Sequence, residues 1–194
     1  MRTVNVDLAE TLIDFAPTET VRAFGFRESQ LQGTVAAFNM LARNRVAYLA
    51  DEVGMGKTYV ALGVLGLLRH LQPESRVMVI APRENIQLKW IKELQNFTRV
   101  NWRHIDNRFK SIQQGPVREP LPCRSLGEMA RAAQVLDDSD IFLRMTSFSL
   151  AVSDPDTRKR HRQQLRQAIP WLGRRDLPVG DPDRFLEAYA KALN

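Results

Sequence analysis

The sequence predicts an α/β fold in which helices cover both faces of a parallel sheet. Three largely apolar runs recur along the chain, at 46–50, 76–81 and 140–150. Segments with apolar residues at helical spacing lie between them, so strands and helices alternate. Buried parallel strands appear as near-continuous apolar runs, and the helices that connect them cross the sheet in a right-handed sense. We therefore predict a three-layer sandwich with a parallel sheet.

Length, composition and charge narrow the functional classes. The chain has 194 residues, of which 44% are hydrophobic and 26% are charged, as in an ordinary globular domain with a sizeable core. The net charge of +6 suits an acidic partner such as nucleic acid, and a merely basic surface is nearly as compatible. The single cysteine, Cys123, excludes an intrachain disulfide, and the three histidines lack metal-ligand spacing. Because no apolar run is long enough for a membrane span or a signal core, we expect a cytoplasmic or nucleoid-associated protein that is not secreted.

Periodicity places further elements along the chain. It predicts helices at 28–43, 58–71, 86–97 and 125–136, a strand at 100–105, and a long proline-rich loop at 106–124. Ser125 and Glu128 match a capping box at the start of the last of these helices. In the tail, Asp154-Pro155 and Asp181-Pro182 each announce a helix. The first of these is rich in arginine, which suits both contact with a phosphate backbone and a solvated helix.

A phosphate-binding loop is predicted between the first strand and the helix that follows it. Two glycines, Gly54 and Gly56, let the backbone approach phosphate closely, and the helix N-terminus adds partial positive charge. Lys57 is expected to reach the β- and γ-phosphates of a bound nucleotide, and the Thr58 hydroxyl is expected to bind Mg²⁺. These two residues are the predicted catalytic pair. The predicted nucleotide-binding loop comprises Asp51, Glu52, Val53, Gly54, Met55, Gly56, Lys57 and Thr58.

The loop departs from the general pattern G-x-x-x-x-G-K-[ST], because Asp51 stands where the first glycine is expected. The form D-E-x-G-x-G-K-T, which residues 51–58 match, resembles the loop of the Swi/Snf-type branch of superfamily 2 helicases. This resemblance implies a RecA-like P-loop lobe that binds ATP and Mg²⁺ in a DNA-dependent ATPase, helicase or translocase.

A second string extends the resemblance. Residues 26–33, FRESQLQG, are similar to the family pattern L-R-x-Y-Q-x-x-G, with Ser29 in place of tyrosine. The resemblance implies that Gln30 recognises adenine. A carboxamide both donates and accepts hydrogen bonds, so it matches the N6 donor and the N7 acceptor of the base. The alternative is a surface glutamine on a helix.

Two strand ends resemble motifs that contact nucleic acid in this family. The sequence VIAP at 79–82, followed by WIKELQNF at 90–97, resembles motif Ia, which implies backbone contacts for Arg83 and, further on, for Asn85 and Gln87. The run at 140–150 resembles motif Ib, which implies phosphate contacts for Thr146 and Ser147. The alternatives are a solvated residue at a helix start and hydroxyls with no function.

The sequence lacks a hydrolytic motif that we can recognise. A superfamily 2 ATPase uses a strand that ends in Asp-Glu to hold Mg²⁺ and orient water, whereas the one Asp-Glu dipeptide here lies in the phosphate loop. We therefore expect an incomplete lobe: a lead-in at 1–23, a partial ATP-binding domain at 24–150 and a basic helical tail at 151–194. Such a chain would be a fragment, a truncated reading frame or one piece of a split enzyme whose second polypeptide carries the missing lobe.

Two other interpretations stay open at this point. One is a non-catalytic module that binds nucleic acid or a protein partner and retains the P-loop fold. The other is a different P-loop NTPase in which Asp137 or Asp138, at a predicted helix end, supplies the carboxylate.

Overall fold

The computed structural model describes residues 3–19, 25–50, 56–135 and 139–148, together with the single helical residues 156, 159 and 163. The remainder of the predicted tail, and Asp137 and Asp138, lie outside the described residues. In chain order the elements are α1 (Val6–Leu12), α2 (Arg27–Asn44), α3 (Lys57–Leu71), β1 (Met78–Ala81), α4 (Glu84–Asn96), a π-helix (Phe97–Asn101), β2 (Glu119–Cys123), α5 (Leu126–Val135), β3 (Ser139–Arg144) and a 3₁₀-helix (Met145–Phe148).

The chain forms two compact units, and the division between them falls within α4. The first unit contains Met1–Val77 and Leu88–Pro120, and the second contains Met78–Gln87 and Leu121–Asn194. The predicted α/β fold is confirmed, with a small sheet as in an incomplete RecA-like lobe. The predicted domain boundaries at 24 and 150 stay a prediction. No helix in the described ranges is long and apolar enough to cross a membrane.

Helices α2 and α3 pack closely in the first unit. The apolar residues of α2 that recur at helical spacing are buried, among them Leu31, Val35 and Phe38. A Cβ atom added to Gly63 of α3 would lie 2.8 Å from Cγ2 of Thr34, which is closer than real Cβ contacts. Glycine at this position therefore lets the two backbones approach each other.

Aromatic rings fill the rest of this core. The ring centroids of Trp102 and Phe109 are 4.8 Å apart, and those of Phe15 and Phe97 are 6.1 Å apart. A Cβ atom on Gly66 would lie 2.7 Å from Cζ3 of Trp102, so the indole ring packs directly on the α3 backbone. The aromatic cluster thus depends on a second glycine of α3.

The predicted strand at 100–105 is wrong. Helix α4 instead continues into the π-helix, and only Trp102 makes a bridge, an isolated antiparallel one with Ile13. The N-terminal segment supplies the hydrogen bonds that this region uses. The Asp14 N–H donates to the Asn101 carbonyl at 2.7 Å, and Asn101 Nδ2 donates to the Asp14 carbonyl at 2.7 Å. The alternating residues at 100–105 therefore form no strand of a sheet. They hold the N-terminal segment in place through these hydrogen bonds.

The predicted strand at 46–50 does not form either. This run belongs to no strand, and the side chains of Val46 and Tyr48 are 65% and 81% exposed. An apolar run favours burial, but a strand also requires a neighbour that satisfies its backbone N–H and C=O groups. Among the described residues no strand pairs with 46–50.

A half-buried carboxylate, that of Asp106, organises the turn after the π-helix. Asp106 Oδ2 lies 2.8 Å from His70 Nδ1, while its Oδ1 accepts the N–H groups of Arg108 and Phe109 at 3.0 Å each. Burial alone would raise the pKa of Asp106, but these hydrogen bonds outweigh it and the pKa is lowered. The Lys110 ammonium closes the turn by donating to the carbonyls of Arg99 and Trp102.

Except for Glu119 and Pro120 of β2, the sheet lies in the second unit, and its strand order is β1-β3-β2. Strands β1 and β3 are parallel, with Met78 opposite Ile141 and Ala81 opposite Arg144. The prediction of one long loop over 106–124 is wrong at its end, where residues Glu119–Cys123 form strand β2. It carries Pro120 and Pro122, and it lies at an edge, where proline is tolerated because its missing N–H faces no neighbour. Because β1 and β3 are parallel, the residues that follow both strands meet at one edge of the sheet.

The close packing of α3 gives a paired stability prediction. We expect Gly66→Ala to lower the free energy of unfolding by roughly 1–3 kcal/mol, because the methyl group would overlap the Trp102 ring. Gly33→Ala is the matched control: its Cβ would meet Val60 at an ordinary 3.7 Å. Since alanine is the better helix former, this control should gain up to about 1 kcal/mol. Urea unfolding of the three proteins measures both changes, and equal stabilities for the two variants would contradict the packing described here.

Candidate nucleotide and nucleic-acid sites

Gly56 is the N-cap of α3, the helix that carries the predicted phosphate ligands. It lies directly before α3 in the left-handed region, with φ 78° and ψ 25°. Its carbonyl accepts the N–H groups of Tyr59 at 2.8 Å and Val60 at 3.1 Å, which closes the first turn. Lys57 and Thr58, the first two residues of α3, are half-buried. The remaining loop residues Asp51, Glu52, Val53, Gly54 and Met55 lie outside the described residues.

The structure brings Gln30 to this helix start. A Cβ atom at residue 56 would lie 2.0 Å from the Nε2 atom of Gln30, so the amide occupies the space that a side chain would need. Both the positive φ and this contact favour glycine at position 56. Two residues that the sequence analysis assigned to one ligand, Gln30 and Gly56, are thus in contact although 26 positions separate them.

A cavity of about 530 Å³ adjoins Gln30 in the first unit. Its volume falls in the range of roughly 300–1,000 Å³ that small-molecule sites occupy. Aromatic and amide side chains predominate in its wall, which suits a flat ring with polar edges. The cavity is lined by Phe15, Pro17, Thr18, Gln30, Tyr59, Asn96, Arg99, Val100 and Asn101.

One wall of the cavity comes from the N-terminal segment, which sequence reasoning could not place. The reciprocal hydrogen bonds between Asp14 and Asn101 fix this segment to the π-helix. The Asp14 carboxylate also accepts the N–H of Ala16 at 2.9 Å, which sets the course of the chain past Phe15. No motif or periodicity in residues 1–23 signalled this role, because it arises from hydrogen bonds to residues far away in the sequence.

Tyr59 links the nucleotide helix to α4. Its hydroxyl donates to Oε2 of Glu93 at 2.7 Å, and its ring packs edge-on against Phe97 with centroids 6.0 Å apart. Burial, the hydrogen bond to Glu93 and the charge of Glu93 raise the pKa of Tyr59 to about 12. The residue that follows the predicted Mg²⁺ ligand is therefore held from both its backbone and its side chain.

The predicted nucleic-acid residues lie at one edge of the sheet in the second unit. Arg83 follows β1 and is exposed; Thr146, also exposed, follows β3 in the 3₁₀-helix. Ser147 is half-buried, and its hydroxyl donates to the Arg124 carbonyl at 3.0 Å. Gln87 was expected as a further backbone contact, and this is wrong. It is 2% exposed, and its Nε2 donates to the carbonyls of Cys123 and Phe142.

Comparison with known proteins identifies the class to which this fold and site belong. Residues 23–134, more than half of the chain, match the family of the type III restriction enzyme res subunit. The chain belongs to this family and carries a superfamily 2 helicase-type ATP-binding domain. It is also similar to the ISWI chromatin-remodeling complex ATPase ISW1 of Saccharomyces cerevisiae, with 35% identity over 88 residues. The resemblance to Swi/Snf-type ATPases is thereby confirmed.

The similarity to the yeast ATPase is local. It covers 39% of this chain and 8% of the yeast protein, so the chain matches only a small part of that relative. No solved structure matches the chain.

The Tyr59–Glu93 contact predicts an unusual titration. We expect the absorbance change that Tyr59→Phe removes from the wild-type curve to be centred near pH 12, against an ordinary value of 10.0. Glu93→Gln should move this step to lower pH, because it removes the negative charge that opposes ionisation of the phenol. The Tyr48→Phe control removes the phenol hydroxyl of an exposed residue and should leave the high-pH step in place. A Tyr59 step that Glu93→Gln does not move would contradict the described contact.

Proposed function

We propose that this chain binds Mg-ATP and DNA as the ATP-binding part of a Swi/Snf-type ATPase, helicase or translocase. The observation that carries the proposal is the contact between Gln30 and Gly56 beside the cavity. It joins a side chain suited to adenine to the helix start that is suited to phosphates, so one nucleotide can satisfy both.

The base recognition rests on Gln30. It lines the cavity together with the rings of Phe15 and Tyr59, which offer apolar surface to a purine. The Gln30 carboxamide provides both a donor and an acceptor, as the edge of adenine requires. We therefore assign the cavity to the base of ATP.

The phosphate and metal roles fall to the start of α3. Lys57, the first residue of α3, would neutralise the β- and γ-phosphates, and the Thr58 hydroxyl would hold Mg²⁺. Gly56 fits this role, because a side chain here would displace Gln30. We include Asp51, Glu52, Val53, Gly54 and Met55 in the same loop on the strength of the sequence pattern. When bound, Mg²⁺ supplies charge neutralisation at the phosphates.

DNA is the nucleic acid that we propose as the binding partner. The names of the matching family and of the yeast relative both refer to proteins that deal with DNA or chromatin, and the net charge of +6 suits an anionic partner. Arg83 and Thr146 are proposed phosphate contacts at the strand ends.

We propose a cytoplasmic or nucleoid-associated location and a partial domain at 24–150 followed by a basic tail at 151–194.

Turnover is proposed to require motifs beyond those that we recognise in this sequence, in a longer form of the chain or in a second polypeptide. Hydrolysis needs a carboxylate that orients water and groups that stabilise the leaving phosphate. The sequence shows no strand that ends in Asp-Glu, and Asp51 and Glu52 belong to the phosphate loop. The chain should therefore bind ATP without hydrolysing it at an appreciable rate.

Variants in the proposed site test nucleotide binding. We expect Lys57→Ala to abolish Mg-ATP binding in calorimetric titrations, and Gln30→Ala to remove the preference for ATP over GTP while retaining binding. Lys89→Ala, which removes an exposed lysine of α4, is the charge-matched control and should bind like the wild type. Normal binding by Lys57→Ala would show that the phosphate-loop assignment is wrong.

The assay that separates the functional classes is phosphate release with and without duplex DNA. Binding without release supports a fragment or subunit that needs further motifs for hydrolysis. Release that DNA stimulates, and that Asp137→Asn or Asp138→Asn removes, would instead identify the missing carboxylate. DNA binding of equal affinity with and without ATP, together with no ATP binding, would favour a non-catalytic module.

A further inference from the structure

We infer that Arg124, which follows β2, is a phosphate contact for the DNA backbone, and that Arg144 and Ser147 position it. This inference rests on the DNA-binding part of the proposed function and adds a residue that no recognised motif includes. It also changes the role of Ser147 from direct contact to support.

The backbone of Arg124 is fixed on both sides. Its N–H donates to Oε2 of Glu128 at 2.6 Å, while its carbonyl accepts from Nη2 of Arg144 at 3.1 Å and from Oγ of Ser147 at 3.0 Å. Glu128 is itself anchored, because its N–H donates to Oγ of Ser125 at 3.2 Å. Three side chains from two parts of the chain therefore hold one residue after an edge strand.

The cap at this helix differs from the predicted capping box by one residue. The Ser125 half forms as predicted, but the Glu128 carboxylate accepts the N–H of Arg124 and not that of the cap residue. The glutamate thus reaches one residue further back along the chain. This shift is what ties the start of α5 to Arg124.

Arg144 connects Arg124 to the other strand end. It closes β3, opposite Ala81 of β1, and its Nη1 lies 3.2 Å from Oε2 of Glu84, the first residue of α4. Its Nη2 serves the Arg124 carbonyl, and its Nε is buried without a hydrogen-bond partner in the described part of the chain. Since its two terminal nitrogens have protein partners, Arg144 holds the Arg124 backbone in place and does not itself contact a ligand.

The side chains of Arg124 and Arg83 are both exposed. Among residues that the structure describes, neither guanidinium makes a hydrogen bond or an ion pair. They stand at the same edge of the sheet, because Arg83 follows β1 and Arg124 is bonded to residues that end and follow β3. Two unpaired guanidiniums on fixed backbones match a ligand with repeated anionic groups.

A phosphodiester backbone is the ligand that this arrangement fits. A guanidinium offers a planar fork of donors that pairs with two phosphate oxygens. Because the Arg124 backbone is already held in place, only its side chain loses freedom on binding. The exposed hydroxyl of Thr146 at the same edge adds a neutral donor of the kind that also contacts phosphates.

Ser147 cannot serve as a direct donor while its hydroxyl proton is directed to the Arg124 carbonyl. Its loss should loosen Arg124 without removing a charge from the surface. This difference separates a positioning residue from a contact residue in an experiment that varies salt.

The test measures binding of the full chain to a short fluorescein-labelled DNA duplex by anisotropy across a series of salt concentrations. Arg124→Ala should weaken binding roughly tenfold at low salt and reduce the slope of log K against log salt by about 0.9, the loss of one phosphate contact. Arg124→Lys should recover most of the slope. Ser147→Ala should weaken binding roughly two- to tenfold, as for one lost hydrogen bond, with the slope unchanged.

Arg43→Ala is the matched control, because it removes an exposed arginine of α2 in the first unit. It should bind like the wild type, and thermal melts should show that all variants are folded. If Arg124→Ala keeps the wild-type affinity and slope, or if Arg43→Ala loses as much as Arg124→Ala, the inference is wrong while the proposed function stands. If Ser147→Ala lowers the slope as Arg124→Ala does, the positioning role is wrong. A wild-type chain that does not bind the duplex at low salt overturns the inference together with the proposed DNA partner.

Discussion

The close approach of α2 and α3 is the constraint on which the candidate nucleotide site depends. Three contacts recur along this interface: Gln30 against Gly56, Val60 against Gly33, and Thr34 against Gly63. At Gly56 and Gly63 the glycine leaves room that a Cβ atom would take from a side chain of α2, whereas Gly33 meets Val60 at an ordinary contact distance. A helix pair that packs this closely fixes the backbone of Gln30 relative to the start of α3, so the amide lies within reach of Gly56.

Sequence patterns predicted the helices better than the strands, for a physical reason. Helical hydrogen bonds are local, so the spacing of Leu31, Val35 and Phe38 suffices to define one buried face. A strand depends on a neighbour that the pattern does not name. The runs at 46–50 and 100–105 therefore look like strands but find no sheet partner in the described structure, whereas β2 forms at an edge despite its prolines.

The candidate site divides in the same way. The phosphate loop and Gln30 carry recognisable strings, and the sequence predicted them together. The opposite wall of the cavity depends on Asp14 and Asn101, which exchange hydrogen bonds across 87 positions. Neither residue belongs to a recognisable local motif. Asn101 lies in a π-helix, whose spacing differs from the α-helical periodicity on which the sequence prediction relies. Long-range polar contacts of this kind have no local signature.

The capping motif at Ser125 and Glu128 also holds the residue before it, Arg124, in the folded chain. The string S-x-x-E predicts only a helix start, yet the carboxylate of Glu128 accepts the N–H that lies one residue before the cap. Arg144, which ends β3, and Ser147, which follows it, hold the carbonyl of the same residue. In the usual capping box the glutamate would instead accept the N–H of Ser125, and the Arg124 N–H would lose this partner. The backbone of Arg124 is therefore held by a helix cap on one side and by the end of a parallel strand on the other, at the same edge of the sheet as Arg83.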